Sequence, residues 1–430
     1  MAHSGTRYAL AQPRVRFAPW IAETAFLALL LMVFIGLMPF APRDPATLAI
    51  GESGFAGAGD ATRQILYLVV LVATLGAALE LRGLQALRAV PIPLAILLGW
   101  CLLSATWAPA PDVAMRRAAL EIVVVVSAMV GVQSIGVTRA LGLLRIVLAL
   151  VLIVNWISIP LITQAIHLPG ESDPSLVGDW RGLYFHKNIA GAVSAISAIV
   201  FLFFAIETRR KADIALFAAA VGFMVMTQSK SSIGLLPVAL LAAWIYRIAW
   251  KRGMDRAIVG VTLGLICILA VTVAIADSGL IARVLEDPTE FTGRTAIWQA
   301  ETAFVRDHAW LGSGFGSFAD TGAASPLHDY VGGGWVETEA HGHNAYLQLL
   351  VTIGGVGFAL AMFALVVQPF GAFLRAATSE LALKSLLFAI FVFMLLHNFL
   401  ESDFLEGDGP AWVAFVLMLA MLRSAPEAAP

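Results

Sequence analysis

Three short stretches gather chemically able side chains in a chain that is otherwise mostly Leu, Val, Ala, Ile and Phe. "DWRGLYFHKNIAG", 179–191, holds Arg181, His186, Lys187 and Asn188 just before an apolar run that continues to Ile206. "FTGRTAIWQAETAFVRDHAWLGSGFGSF", 291–318, holds Arg294, and "EAHGHNAYLQLLVTIGGVG", 339–357, holds His341, His343 and Asn344. Each stretch opens a predicted helix, so each places a cation or an imidazole beside unpaired backbone N–H groups. That combination binds phosphate without a metal. Thr292 reads as an N-cap that sets Arg294 in the first helical turn. An arginine there opposes the helix dipole, and an anionic ligand would supply the reason for it.

Blander readings compete for the same residues. A lone Arg or Lys at a membrane edge is commonly a snorkelling anchor. "GSGFGS" reads as a turn, because no strand precedes it. His341 and His343, with His308 and His328, lack metal-site spacing, so no metal and no cofactor is expected. Glu337 and Glu339 read as solvated loop acids. His397 and Asn398 read equally as core polar groups or as site lining. Trp298 and Trp310 suit an interfacial aromatic belt. Cys101 and Cys267 lie in apolar runs and read as packing residues.

The elements that must position these stretches are membrane helices. The chain of 430 residues is 60% hydrophobic and 13% charged, about half the usual charged share. Its net charge of −2 gives no basic field for nucleic acid. Twelve apolar spans are expected, at about 20–39, 64–81, 90–107, 117–136, 140–166, 189–206, 212–229, 231–250, 257–276, 344–368, 381–400 and 410–422. The basic start of the chain leads into the first span and reads as its flank, not as a removed signal. The fold class is therefore an all-α polytopic membrane protein. A first membrane block covers 1–276, a long, partly helical outer loop covers 277–343, and a second block covers 344–430. Within that loop, Ala296, Ile297, Ala300, Ala303 and Phe304 recur at helical spacing and predict an amphipathic helix over 294–306. With both termini inside, 17 of the 27 basic residues fall in short inner segments. Glu401, Asp403, Glu406 and Asp408 then share one outer loop. The bias toward inner positive charge sets all three stretches on the outer face.

The same stretches resemble a known family. His343-Asn344, nine residues, then Gly354 and Gly357 is similar to the H-N-x9-G-x-x-G signature of the O-antigen ligase and polysaccharide polymerase superfamily. "RGLYFHKNIAG" and "TGRTAIW" resemble its two other hallmark segments, and the run F-H-K-N-x-x-G is most like the exopolysaccharide polymerase branch. The resemblance implies a metal-independent, inverting glycosyltransferase at the periplasmic face of the bacterial inner membrane. The donor would be an undecaprenyl-diphosphate-linked glycan and the acceptor a growing glycan or lipid A core. Partners would be the bilayer and a chain-length regulator or a flippase. Matched position by position, Arg181 and Arg294 would hold the diphosphate, free at the membrane surface, and His343 would be the catalytic histidine. Lys187 would assist the diphosphate; His186, Asn188, Asn344 and His341 would support. His343 could serve as a general base or as a phosphate-binding cation. A transporter is the rival class, but it would place charges at mid-membrane, where these spans carry almost none.

Overall fold

The computed structural model describes residues 17–37, 39–40, 61–171, 174–254, 260, 294–331, 342–375 and 380–424. Helices occupy eleven of the twelve predicted spans; the ninth, 257–276, lies almost wholly outside the described residues. They are α1 (Ala18–Phe34), α2 (Ala61–Arg82), α3 (Ile92–Ser104), α4 (Pro111–Ile135), α5 (Val137–Leu161), α6 (Lys187–Thr208), α7 (Lys211–Met226) and α8 (Lys230–Lys251). α9 (Arg294–Asp307) is the amphipathic helix of the long loop, and α10 (Ala345–Met362), α11 (Leu381–His397) and α12 (Pro410–Ser424) complete the bundle. Six apolar stretches, one of them α10 with its continuation to Phe373, are long enough to cross a bilayer. Proline supplies several of the starts. Pro93 lies in the first turn of α3, and Pro111 and Pro410 open α4 and α12, where a missing N–H costs no helical bond. The chain is an all-α, multi-pass membrane protein.

Polar contacts sort the helix ends into two levels. At one level Arg145 pairs with Asp213 at 2.9 Å, Arg247 with Glu207 at 3.1 Å, and Tyr246 donates to the Phe373 carbonyl at 2.9 Å. At the other, Tyr184 donates to the Phe34 carbonyl, Arg63 pairs with Asp408, and Arg117 pairs with Asp320 at 2.7 Å. Successive membrane helices run between these levels, as alternating spans require. We call the second level the upper end. α12, the shortest of the predicted spans, turns out to be central: every residue from Ala411 to Leu422 is buried. A helix apolar on all sides belongs in the middle of a bundle.

The described part of the long loop, 294–331, packs on the bundle. Its segment 309–313 docks into α10, which the sequence predicts as one continuous helix. The Gly355 N–H bonds the Ala309 carbonyl at 2.8 Å, and the Ser313 N–H bonds the Val351 carbonyl at 2.9 Å. The helix is broken between them at Gly354, whose φ of 68° and ψ of −177° suit glycine alone. A Cβ at Gly354 would also collide with the Trp310 carbonyl. One helix turn further on, a Cβ at Gly357 would strike the Trp100 indole. The two glycines of the signature thus admit the loop and α3 to the flank of α10. Together with its continuation to Phe373, α10 has 29 residues. That is about 44 Å, against about 30 Å of hydrocarbon, which leaves length to spare for the turns that receive the loop.

Candidate functional site

The N-terminal ends of α6 and α10 meet at the upper end through a residue between α11 and α12. His343 Nδ1 lies 3.2 Å from Glu401 Oε2, and Asn188 Nδ2 donates to Glu401 Oε1 at 2.8 Å. One carboxylate therefore joins two of the three sequence stretches. His343 keeps about a quarter of its side chain exposed, whereas Asn188 and Glu401 are buried. A carboxylate partner assigns the ring proton to Nδ1 and leaves the lone pair on Nε2, the form a general base needs. His343 also has a φ of 51°, a left-handed backbone that side chains other than Asn, Asp and His rarely take. Such a conformation persists only where its surroundings enforce it. Here Asn344 on one side caps α10 by accepting from the Leu347 N–H at 3.1 Å, and its own N–H bonds Ser402 Oγ at 3.1 Å. On the other side Trp298 Nε1 donates to the Gly342 carbonyl at 2.7 Å. Trp298 is therefore a support for the histidine segment and not a belt residue; Trp310, three-quarters exposed, fits the belt.

The loop bearing Glu401 is anchored to five helices. His397 Nδ1 lies 2.7 Å from Asp403 Oδ2, and its Nε2 lies 3.3 Å from Ser232 Oγ on α8. Asn398 Oδ1 accepts from the N–H groups of Asp403 and Phe404. Gly407 N–H and Trp412 Nε1 both donate to Glu121 on α4, while Asp408 takes Arg63 and Tyr67 of α2. The Ser232, His397 and Asp403 side chains have the order of a nucleophilic triad. Ser232 and His397 are nevertheless almost fully buried, so they brace the turn. Asp403 and Asp408, two of the four acids that serve in the sequence as topology markers, hold the turn, whereas Glu401 joins the candidate site, a place the sequence does not assign it. Its one signal is density: His397, Asn398, Glu401 and Asp403 fall within seven residues at the end of an apolar run.

A second cluster forms where residues 162–186 fold over α6. An isolated antiparallel bridge joins Ile166 to Trp180 and brings His167 and Arg181 together. The sequence places Arg181 free at the surface, and the structure corrects this. Its side chain is buried, paired to Glu171 at 2.9 Å, and its Nε donates to the Gln164 carbonyl at 2.7 Å. Burial pushes the Glu171 carboxyl up, but the Leu168 N–H, His167 and Arg181 outweigh it and hold the group below the usual carboxylate range. Lys187 Nζ pairs with Asp179 at 2.6 Å. His186 is the N-cap of α6; burial pushes its imidazole down to about 3, so it stays neutral and accepts from the Asn188 N–H. The Lys187 N–H bonds His167 Nε2 at 3.2 Å. In α10 the Ala345 N–H bonds the carbonyls of Asn398 and Glu401. The first N–H groups of α6 and α10 are thus largely satisfied within the protein, correcting the expectation of open helix N-termini. The third helix start, α9, begins at Arg294, whose side chain lies outside the described residues, as do Thr292 and His341.

α9 covers the site from the side. Ile297, Ala300, Glu301 and Phe304 form its buried face, so the amphipathic stripe has the predicted position but contains an acid. "GSGFGS" is a turn, packed on the end of α3: the Phe315 N–H bonds Ser104 Oγ at 2.8 Å. Among the described residues no three His, Cys, Asp or Glu side chains converge as a metal site would require.

Glu401→Gln tests the central contact. The amide can still accept from Asn188 but presents N–H₂ to His343, so the ring is expected to shift its proton to Nε2. Transfer is expected to fall about 10²-fold, with donor affinity unchanged and the tautomer change visible in the imidazole nitrogen chemical shifts. Full activity with an unchanged tautomer would show that Glu401 only packs.

Residues 214–362, about a third of the chain, match the sequence family described as O-antigen ligase. The match contains Arg294 and His343 and leaves out Arg181, Lys187 and Glu401. No curated protein matches the chain.

Proposed function

We propose, from the match of residues 214–362 to the O-antigen ligase family, that this chain is a metal-independent, inverting membrane glycosyltransferase of the O-antigen ligase and polysaccharide polymerase superfamily. The reaction moves a glycan from a lipid diphosphate, of the undecaprenyl type, onto a hydroxyl of a glycan acceptor. We place it at the periplasmic face of the bacterial inner membrane, with polymerisation of exopolysaccharide or O-antigen units as the preferred outcome. The observation that carries the reading is the His343–Glu401 pair, with its left-handed histidine at the upper end.

Attack on the anomeric carbon requires the acceptor hydroxyl to lose its proton, and His343 Nε2 is the base suited to take it. Glu401 stabilises the imidazolium that results, and Asn188 holds the carboxylate in place. The leaving lipid diphosphate gains negative charge, which guanidinium forks can meet without a metal. Arg294, at the first turn of α9, is assigned this contact. Arg181 and Lys187 form a second rank, each already held by an acid whose place a diphosphate would have to take.

Purified protein in detergent, given lipid-linked glycan extracted from the source cells, is expected to lengthen that glycan at undiminished rate in EDTA. Activity lost to EDTA and restored by a divalent ion would overturn the metal-free reaction. Transfer to lipid A core alone would make the protein a ligase within the same enzyme class.

A further inference from the structure

Beside the His343 segment lies a small cavity of about 40 Å³, walled by α9, by the turn around Gly316 to Ala319 and by the flank of α10. Glu301 faces it from the apolar side of α9. The residue is only 2% exposed, and its Oε2 has no hydrogen-bond partner. Gln348 of α10 lines the same cavity, and its side-chain amide oxygen is also buried without a partner. Two unpartnered polar oxygens, on side chains from different helices that line one space, are costly unless something binds them. The carboxyl of Glu301 packs so closely on Gly342 that a Cβ there would collide with it, and Gly342 is followed directly by His343.

We propose that this cavity is an acceptor subsite, in which Glu301 and Gln348 hold a hydroxyl or hydroxymethyl group of the incoming glycan beside the hydroxyl that His343 deprotonates. The inference rests on the transferase reading. The chemistry of the walls selects the ligand. Burial pushes the Glu301 carboxyl up to about 8, so near neutrality it is mostly protonated and both donates and accepts. Arg117, which lines the cavity, is committed to Asp320 and to the Gly316 carbonyl. A cavity with no available charge suits neither phosphate nor a metal ion; a sugar hydroxyl, which donates and accepts at once, matches both oxygens. Each water needs about 10–15 Å³ on the same measure, so the space takes one substituent of a sugar and excludes its ring. It would read one edge of the acceptor.

The test is direct binding to donor-free protein in detergent, with oligosaccharide released by mild acid from the source cells' surface polysaccharide as the probe. Glu301→Leu is expected to weaken binding at least tenfold with no loss of thermal stability, because it removes a buried polar group and fills the space. Glu301→Gln, which keeps a donor and an acceptor, is expected to stay within threefold of wild type. Gln348→Leu is expected to weaken binding in the same direction. Wild-type affinity in Glu301→Leu, which would leave a solvent-filled cavity only, overturns the proposal, as does absence of binding by the wild-type protein. Transfer by the wild-type protein is measured alongside. Its presence with unchanged binding in the variants sinks the subsite alone, and its absence sinks the transferase reading.

Discussion

Turnover of His343→Asn is expected to fall by about 10³-fold, while affinity for the lipid-linked donor stays within a few-fold of wild type. Asparagine is the informative replacement because it tolerates the left-handed backbone that His343 adopts, with a φ of 51°. It retains a hydrogen-bonding group toward Glu401 but has no lone pair basic enough to accept a proton at neutral pH. His343→Gln should be as inactive and less stable, since glutamine fits that backbone poorly. Donor binding and transfer, measured separately on detergent-purified protein, decide the role. Turnover near wild type would dismiss the base. Lost donor binding with residual turnover would make His343 a phosphate contact.

For Arg181→Ala the expected result is a failure of folding before any failure of chemistry. The guanidinium is buried against Glu171 and holds the Gln164 carbonyl, so its removal leaves a buried carboxylate with the Leu168 N–H and His167 but without its guanidinium partner. Breaking one side of a buried pair costs about 3–5 kcal/mol. Thermal melting in detergent should therefore drop well below wild type, and the double change Arg181→Met with Glu171→Gln should recover much of it. An Arg181→Ala protein that melts as wild type yet transfers nothing would reverse this view and make Arg181 a direct contact of the diphosphate.

The spans were legible because the bilayer demands long apolar runs, and their order and alternation follow from that demand together with short loops. The signature glycines were legible as spacing but not as mechanism: nothing in "LLVTIGGVG" says that the distant segment 309–313 fills the break at Gly354. Charge was read less well. Arg181, Lys187, Glu401 and Asp408 look alike in sequence to solvated groups at a membrane edge, and whether such a group is free depends on partners far along the chain. Arg63 and Asp408 are 345 residues apart, and Asn188 and Glu401 are 213. Glu301 shows the same difficulty at close range. Its place among Ile297, Ala300 and Phe304 is visible as helical spacing, and the residue still reads as the polar side of an amphipathic helix until its surroundings are known.

The bracing of the turn between α11 and α12 has a bearing on biogenesis. Ribosome and translocon deliver this chain from its amino end, so His343 reaches the membrane 58 residues before Glu401, and the turn cannot lock until α12 has brought Trp412 to Glu121. A nascent or truncated polypeptide that stops short of α12 would thus hold every stretch of the recognisable signature and still lack Glu401 in its fixed place. On the role proposed for Glu401, synthesis itself acts as a safety catch, released when α12 has been threaded into the bilayer.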